Sequence, residues 1–398
     1  MDASKLRYEM RCELDRILTY WTDRTVDREH GGFYGSLNGE SIVISGAPKG
    51  LVLNARLLWT FSRAYRTDRK TVYLQMAERA LGELERSFKD PVYGGYYWMA
   101  APSGEPVQTR KQIYGQAFVL YALSEYVLAT GSRQLLPDIQ ALVDIVERSY
   151  DPVHGGYFEA YTREWELESD LRLSEHDMNE KKSMNTHLHI LEAYTNVYRV
   201  WPSSIMALRL RSLIGLTLDR IVGGDGHFRL FFDEDWRVKS DRISYGHDIE
   251  GSWLLYEAAE ALGDTELIAL AKKAALAMAD ATLAEGVDRD GALWNEAGPE
   301  GLIDTDKDWW PQAEAVVGFV NAWQMTGDDR YWEAAWKTWS FIRTSVVDRE
   351  HGEWFWKVDA SGVPYKEEPK VSEWKCPYHN GRACMEIIER LGPLIQEA

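Results

Sequence analysis

Apolar residues recur at intervals of three and four along most of the chain, and the stretches that show this come in pairs. Leu6–Trp21 opens the series. Leu51–Tyr65 is followed by Thr71–Phe88, Ile113–Ala129 by Leu135–Tyr150, and Asn185–Tyr198 by Ile205–Ile221. Gly246–Leu262 then pairs with Thr265–Leu283, and Trp310–Met325 with Tyr331–Val347; a last helix follows His379. The spacing puts the apolar positions on one face of a helix, so twelve helices are predicted. Several are apolar around their whole circumference, most clearly Val316-Val-Gly-Phe-Val-Asn-Ala-Trp323. A helix without a polar face is walled in on both sides.

A short polar and glycine-rich pattern punctuates the pairs. It reads Asp27-Arg-Glu-His-Gly-Gly-Phe-Tyr-Gly35, then Asp90-Pro-Val-Tyr-Gly-Gly-Tyr-Tyr-Trp98 and Asp151-Pro-Val-His-Gly-Gly-Tyr-Phe-Glu159. A degenerate copy, Gly223-Gly-Asp-Gly-His-Phe-Arg229, precedes Asp288-Arg-Asp-Gly-Ala-Leu-Trp294 and Asp348-Arg-Glu-His-Gly-Glu-Trp-Phe-Trp356. Copies start about 60 to 70 residues apart, the signature of a repeat architecture. Each reads as a turn: aspartate near the start, glycine for positive φ, then aromatics beginning an extended piece. The predicted fold is all-α, an (α/α)6 barrel of twelve helices with short β-hairpin or turn insertions between pairs. An open solenoid is the alternative; closure is favoured because neither terminus reads as a polar capping repeat. No Gly-, Pro- or Ser-rich linker divides the chain, so one domain is expected over 1–398.

Composition narrows the partners. Seventeen tryptophans and 21 tyrosines in 398 residues suit a cleft that stacks on sugar rings, although a large helical core also absorbs aromatics. The net charge of −18 lacks the basic footprint that nucleic acid or an anionic membrane surface requires. Cys12, Cys376 and Cys384 are odd in number and match no zinc or disulfide framework, which fits a reducing, cytoplasmic setting. The first residues lack an apolar signal core, and no stretch approaches the roughly 20 apolar residues of a membrane span.

The helix after each turn carries polar or aromatic residues near its start: Arg56, then Tyr114, then Asn185 and His189, then His247 and Glu250, then Trp310 and Glu314, then His379. If these helices form the inner ring, six separate stretches meet at one mouth of the barrel. Asn185 and His189 share a helix face, as do Trp310 and Glu314, while His247 and Glu250 lie within reach of each other. Elimination sorts the nine histidines. His30, His154, His227 and His351 belong to the turns, and His176 lies in a charged loop, Ser174-Glu-His-Asp177, as a lid residue or merely exposed. His187 points away from His189 on a helix, so the two do not chelate one metal. His189, His247 and His379 remain. Glycine-rich phosphate loops, Rossmann fingerprints, HExxH and nucleophile elbows are absent, and no local metal-ligand spacing is present. The stretch Val371-Ser-Glu-Trp-Lys-Cys-Pro-Tyr-His379 sets Trp374 before a histidine at a proline-initiated helix start, a pairing suited to a sugar ring and a proton transfer.

Five segments carry a family resemblance: Gly50-Leu-Val-Leu-Asn-Ala-Arg56, Asn185-Thr-His-Leu-His189, Tyr245-Gly-His-Asp-Ile-Glu250, Trp309-Trp-Pro-Gln-Ala-Glu314 and Glu373-Trp-Lys-Cys-Pro-Tyr-His-Asn-Gly-Arg382. In these the chain resembles the cellobiose 2-epimerases of the N-acylglucosamine 2-epimerase superfamily. The resemblance implies an (α/α)6 barrel, no cofactor or metal, and His247 and His379 as the acid/base pair. It implies that Arg56, Tyr114, Asn185, His189, Glu250, Trp310 and Trp374 bind the sugar; Glu314 completes the candidate pocket. The expected substrate is a β-1,4-linked disaccharide such as cellobiose, lactose or mannobiose, handled by a monomer. Epimerisation at C2 of the open-chain sugar would pass through an enediolate, with Arg56 and His189 steadying the developing oxyanion and minor aldose–ketose isomerisation as a side reaction. Both histidines are expected to titrate near 6.5. The competing readings are a glycoside hydrolase using Glu250 and Glu314, a monosaccharide isomerase or N-acylglucosamine 2-epimerase, and a non-catalytic sugar-binding protein.

Overall fold

Burial separates the helices into two classes. In a computed structural model that describes residues 2–392, every residue of Leu51–Ala64 is buried, and so is every residue from Pro311 to Ala322. The domain ends expected at 1 and 398 lie outside the described residues. The fully walled helices are α2 (Leu51–Asp68), α4 (Ile113–Thr130), α6 (Met184–Val200), α8 (Tyr245–Leu262), α10 (Trp309–Thr326) and α12 (Tyr378–Arg390). Each packs on the next, and α12 packs back on α2, so the ring closes and the open solenoid falls away. The partners α1 (Ala3–Arg24), α3 (Thr71–Glu83), α5 (Leu136–Glu147), α7 (Ser204–Leu216), α9 (Thr265–Ala281) and α11 (Asp329–Phe341) bury one stripe each. In α9 that stripe is Ala271, Ala275, Met278 and Ala279, the spacing of a single helical face. They form the outer ring, α1 against α12 and every other one against the inner helix before it. The result is the (α/α)6 barrel.

The outer helices end differently from the expectation. Those predicted to run to Phe88, Ile221, Leu283 and Val347 are α-helical only as far as Glu83, Leu216, Ala281 and Phe341. The last five residues of each widen into a π-turn, 84–88, 217–221, 282–286 and 342–346. In three of them the next amide bonds back five residues, as Lys89 N–H does to Leu84 O at 3.0 Å. The repeated turn follows at once, and one antiparallel bridge closes each of the six copies: Val26–Phe33, Lys89–Tyr96, Tyr150–Tyr157, Val222–Phe228, Val287–Leu293 and Val347–Trp354.

Two devices fix the N-termini of the inner helices. The two residues before α2, α4, α6, α8 and α10 pair with a short strand of the following repeat, for example Lys182–Ser183 with Phe231–Phe232. A bridge from Leu37 to Val371 serves α12. The second device is a buried lysine. Lys111, Lys182, Lys307 and Lys370 reach the first aspartate of the preceding turn at 2.7 to 3.0 Å, and Lys49 reaches Asp27 at 3.5 Å. The degenerate fourth turn has no such lysine at the equivalent place. A further repeated contact explains His187. Its Nε2 accepts from Tyr157 N–H at 2.9 Å while Nδ1 donates to Ser183 O at 2.6 Å. Gln116 makes the same reach to Tyr96 N–H, and Gln312 to Leu293 N–H. Gly156, at φ 80°, leaves the room: a Cβ there would lie 2.7 Å from His187 Nε2.

Candidate active site

Because the inner helices all start at the same end of the barrel, their first turns surround one cavity of about 250 Å³. All six contribute. Arg56 comes from α2, Tyr114 from α4, Asn185 and His189 from α6, His247 and Glu250 from α8, Trp310 from α10 and His379 from α12. Trp374, in the segment before α12, lines it too. Nine of the ten expected residues therefore line one cavity.

Glu314 does not. It is fully buried and lies behind His379, with Oε1 2.7 Å from His379 Nδ1 and Oε2 accepting from Trp253 Nε1 at 3.1 Å. The expected contact between Glu314 and substrate gives way to a contact with the imidazole, because this face of α10 turns toward α12 and α8 rather than the axis. The expected reach between His247 and Glu250 is also replaced. His247 Nδ1 bonds Ser244 Oγ at 2.8 Å, and Glu250 turns to Arg382 at 2.6 Å.

Beneath the cavity floor lies a polar network that sequence reading missed. The Arg382 guanidinium, 1 % exposed, touches Glu250, Glu314 and Glu192. Glu192 also takes the Tyr378 hydroxyl, and its Oε2 lies 3.0 Å from His189 Nδ1. One guanidinium thus ties the residues that hold His189 and His379. Glu250, Glu314 and His379 are close enough to grip a cation, but Arg382 already supplies the positive charge between the two carboxylates. Since both glutamates meet on one guanidinium, they lie on the same side of the cavity. The hydrolase reading needs them on opposite sides of a scissile bond.

The electrostatics differ from the expected pair of ordinary histidines. Burial pushes His247 and His189 down to about 3. Burial also takes His379 well below its usual value, with Arg56 and Arg382 adding to the effect. All three are neutral imidazoles at pH 7. With Nδ1 of His379 donating to Glu314 and Nδ1 of His247 held by Ser244, each presents Nε2 as the free nitrogen. Both rings pack against Trp310, with centroids 4.7 Å (His247) and 5.4 Å (His379) from it.

Arg56 is buried in a helix whose neighbouring residues are mostly apolar. It finds the Tyr114 hydroxyl at 2.9 Å and the Trp374 carbonyl at 3.4 Å, and its guanidinium stacks on Phe118 at 4.3 Å and Tyr378 at 4.9 Å. Among the described residues no carboxylate makes an ion pair with it. A buried cation of this kind, on the wall of a cavity, is a ready receptor for an anion.

Asp308, Trp309 and Trp356 complete one side, and Leu173, Ser174, His176 and Asp177 close over the top from the loop between α5 and α6. From sequence His176 is either a lid residue or an exposed member of a charged loop; in the structure it lines the cavity. Among the described residues no helix is long and apolar enough to cross a membrane.

Comparisons with known proteins place the chain in a family. Residues 32–382 match the N-acylglucosamine 2-epimerase (GlcNAc 2-epimerase) family. A cellobiose 2-epimerase from Bacteroides fragilis is 47% identical over 387 residues, covering 96% of this chain and 98% of that protein. One from Dictyoglomus turgidum is 39% identical, covering 98% and 100%. The solved structure of a cellobiose 2-epimerase from Bacillus thermoamylovorans B4167 superposes with a TM-score of 0.93 at 38% identity, covering 97% of this chain and 100% of that one.

Proposed function

The chain belongs to the N-acylglucosamine 2-epimerase family and is a carbohydrate epimerase, and from that premise we propose that it epimerises C2 of the reducing-end sugar of a β-1,4-linked disaccharide, converting cellobiose to 4-O-β-glucosyl-mannose. The observation that carries this reading is the presence in one cavity of two neutral imidazoles and a guanidinium without a carboxylate partner. That is the equipment for removing a carbon-bound proton and holding the anion left behind.

The steps follow from the chemistry of an aldose. Only the open-chain aldehyde makes the C2 proton acidic. An imidazole Nε2 takes that proton, and the electron pair moves into the C1–C2 bond and onto the carbonyl oxygen, giving an enediolate. Arg56 stabilises the oxyanion, with His189 beside it; both sit within one aromatic pocket with Tyr114. A proton returned to C2 from the other face inverts the centre. His247 and His379, both packed against Trp310, are the two groups that exchange it: one keeps the proton taken from C2, and the other, which takes up a proton from solvent as the enediolate forms, gives one to carbon. Glu314 is the counter-charge for the imidazolium formed on His379. Return of the proton to C1 instead of C2 yields the ketose, which is the expected minor product. Trp310 and Trp374 supply ring faces for the sugar.

The test is incubation with cellobiose in deuterated water, without added metal or nucleotide, followed by NMR. The expected result is glucosyl-mannose carrying deuterium at C2, with the signal lost in His247→Asn and His379→Asn. Free glucose, or no exchange at C2, overturns the reading.

A further inference from the structure

The cavity is lined by a carboxylate with a free oxygen that the chemistry above leaves unused. Asp308 lines it beside Trp309, Trp310 and Trp356. It occupies the residue before α10, where an aspartate ordinarily accepts from the free amides of the helix's first turn. Asp308 does not: its side chain makes no capping bond. It is clamped elsewhere. Asn295 Nδ2 donates to Asp308 Oδ1 at 3.1 Å, and the same amide's oxygen accepts from Asp308 N–H at 3.2 Å. The pairing of Lys307–Asp308 with Lys357–Val358 holds the backbone.

The other oxygen, Oδ2, has no donor among the described residues. The nearby cations are committed elsewhere: Lys357 to Asp306 at 2.8 Å, and Lys307 to Asp288 and Asp290 at 2.8 and 2.6 Å. The other acids around it, Asp304 and Asp306, repel rather than satisfy it, and burial pushes the Asp308 carboxyl up to about 7. A carboxylate oxygen in an aromatic wall, held in place by an amide on its twin, accepts a hydrogen bond from whatever fills the cavity. Sugar hydroxyls are the donors that fit.

Taking the proposed disaccharide substrate as given, the geometry points to Asp308 as a sugar-binding residue: its Oδ2 accepts a hydroxyl of the bound sugar and holds the ring against Trp310, while Asn295 acts as the positioning residue that aims it.

Asp308→Asn is the discriminating change. The new side chain keeps an oxygen for the Asn295 amide and replaces the free acceptor with an NH2 donor. The measurements are the Kd of cellobiose by calorimetry and, separately, kcat and KM for its epimerisation, with melting curves confirming the fold; Asp308→Ala serves as a second variant. The expected result is Kd and KM raised about tenfold, the loss of roughly one hydrogen bond, with kcat within about twofold. Unchanged affinity in both variants overturns the assignment, and so does a fall in kcat at unchanged KM. If the wild type binds cellobiose without epimerising it, the proposed reaction fails, while the Kd comparison still decides Asp308. If the wild type binds neither cellobiose, lactose nor glucose, both fall.

Discussion

Replacing Glu314 by glutamine isolates the counter-charge behind His379. The carboxyl lies 2.7 Å from His379 Nδ1, is fully buried and stands off the cavity wall; burial raises its pKa, while donors from His379, Arg382 and Trp253 on its two oxygens hold it ionised. When Nε2 takes a proton from carbon, the imidazolium loses a charge-assisted bond in the variant. Bonds of that class are worth about 1.5–3 kcal/mol, and a Coulomb estimate at an effective dielectric near 20 caps the effect at about 4 kcal/mol for charges about 4 Å apart. Glu250 Oε1, 3.9 Å from the same nitrogen, retains part of the field, so the lower range applies. About 2 kcal/mol corresponds to a fall in kcat of roughly 30-fold. KM should stay within about twofold, because Glu314 does not reach the sugar. The assay is initial-rate epimerisation of cellobiose, with single-turnover deuterium exchange to isolate the proton step. The variant also leaves one donor among His379, Arg382 and Trp253 without an acceptor, at a stability cost of about 1 kcal/mol. A kcat within threefold of wild type, or a loss confined to KM, refutes the reasoning.

Arg56→Lys removes the bond to Tyr114 and the flat stacking on Phe118, and should lower kcat/KM by about 10²–10³-fold, the scale of a lost oxyanion donor; steady-state kinetics decide. Lys182→Met strips Asp151 of its buried partner and should cost about 3–5 kcal/mol in chemical denaturation. His187→Gln copies Gln116 and Gln312 and should keep activity and fold at pH 7. Burial holds His187 at about 4, below its unfolded value near 6.5, so the wild type loses stability as pH falls through that window. The variant should therefore gain about 2 kcal/mol on wild type between pH 7 and pH 5, read from denaturation at the two values.

Convergence of the site was legible because it follows from the repeat. Once six turns alternate with paired helices, the residue in the first turn of each inner helix is fixed at one mouth, and Arg56, Tyr114, His189 and His379 need no further information. Parity on the helix was enough to turn His187 away from His189. Other residues fall outside that logic. An inner helix such as α10 is apolar on all sides, so periodicity does not say which of its polar residues faces the axis, and Glu314 was placed on the wall when it faces α12 and α8. Arg382 and Glu192 were hidden because their partners come from other repeats, which spacing within one helix does not report. Asp308, Trp309 and Trp356 depend on strand register between neighbouring repeats, and Leu173 to Asp177 on a loop without a period. The depressed histidine pKa values depend on burial, which no spacing encodes.

Closure of the ring by α12 has a consequence for synthesis. His379 and Arg56 line the cavity from the last inner helix and the first, which meet at the seam. While α12 is still within the ribosome, ten of the twelve helices can already pair, yet the flanks of α2 and α10 that will receive it stay uncovered, and α1 lacks the inner helix it packs on. The nascent chain is then an open arc with two apolar edges, and an arc can close on a second copy as readily as on its own missing helix. Activity and protection from self-association arrive in one event, the docking of a single helix, so conditions that slow that step should yield aggregates rather than a soluble inactive form.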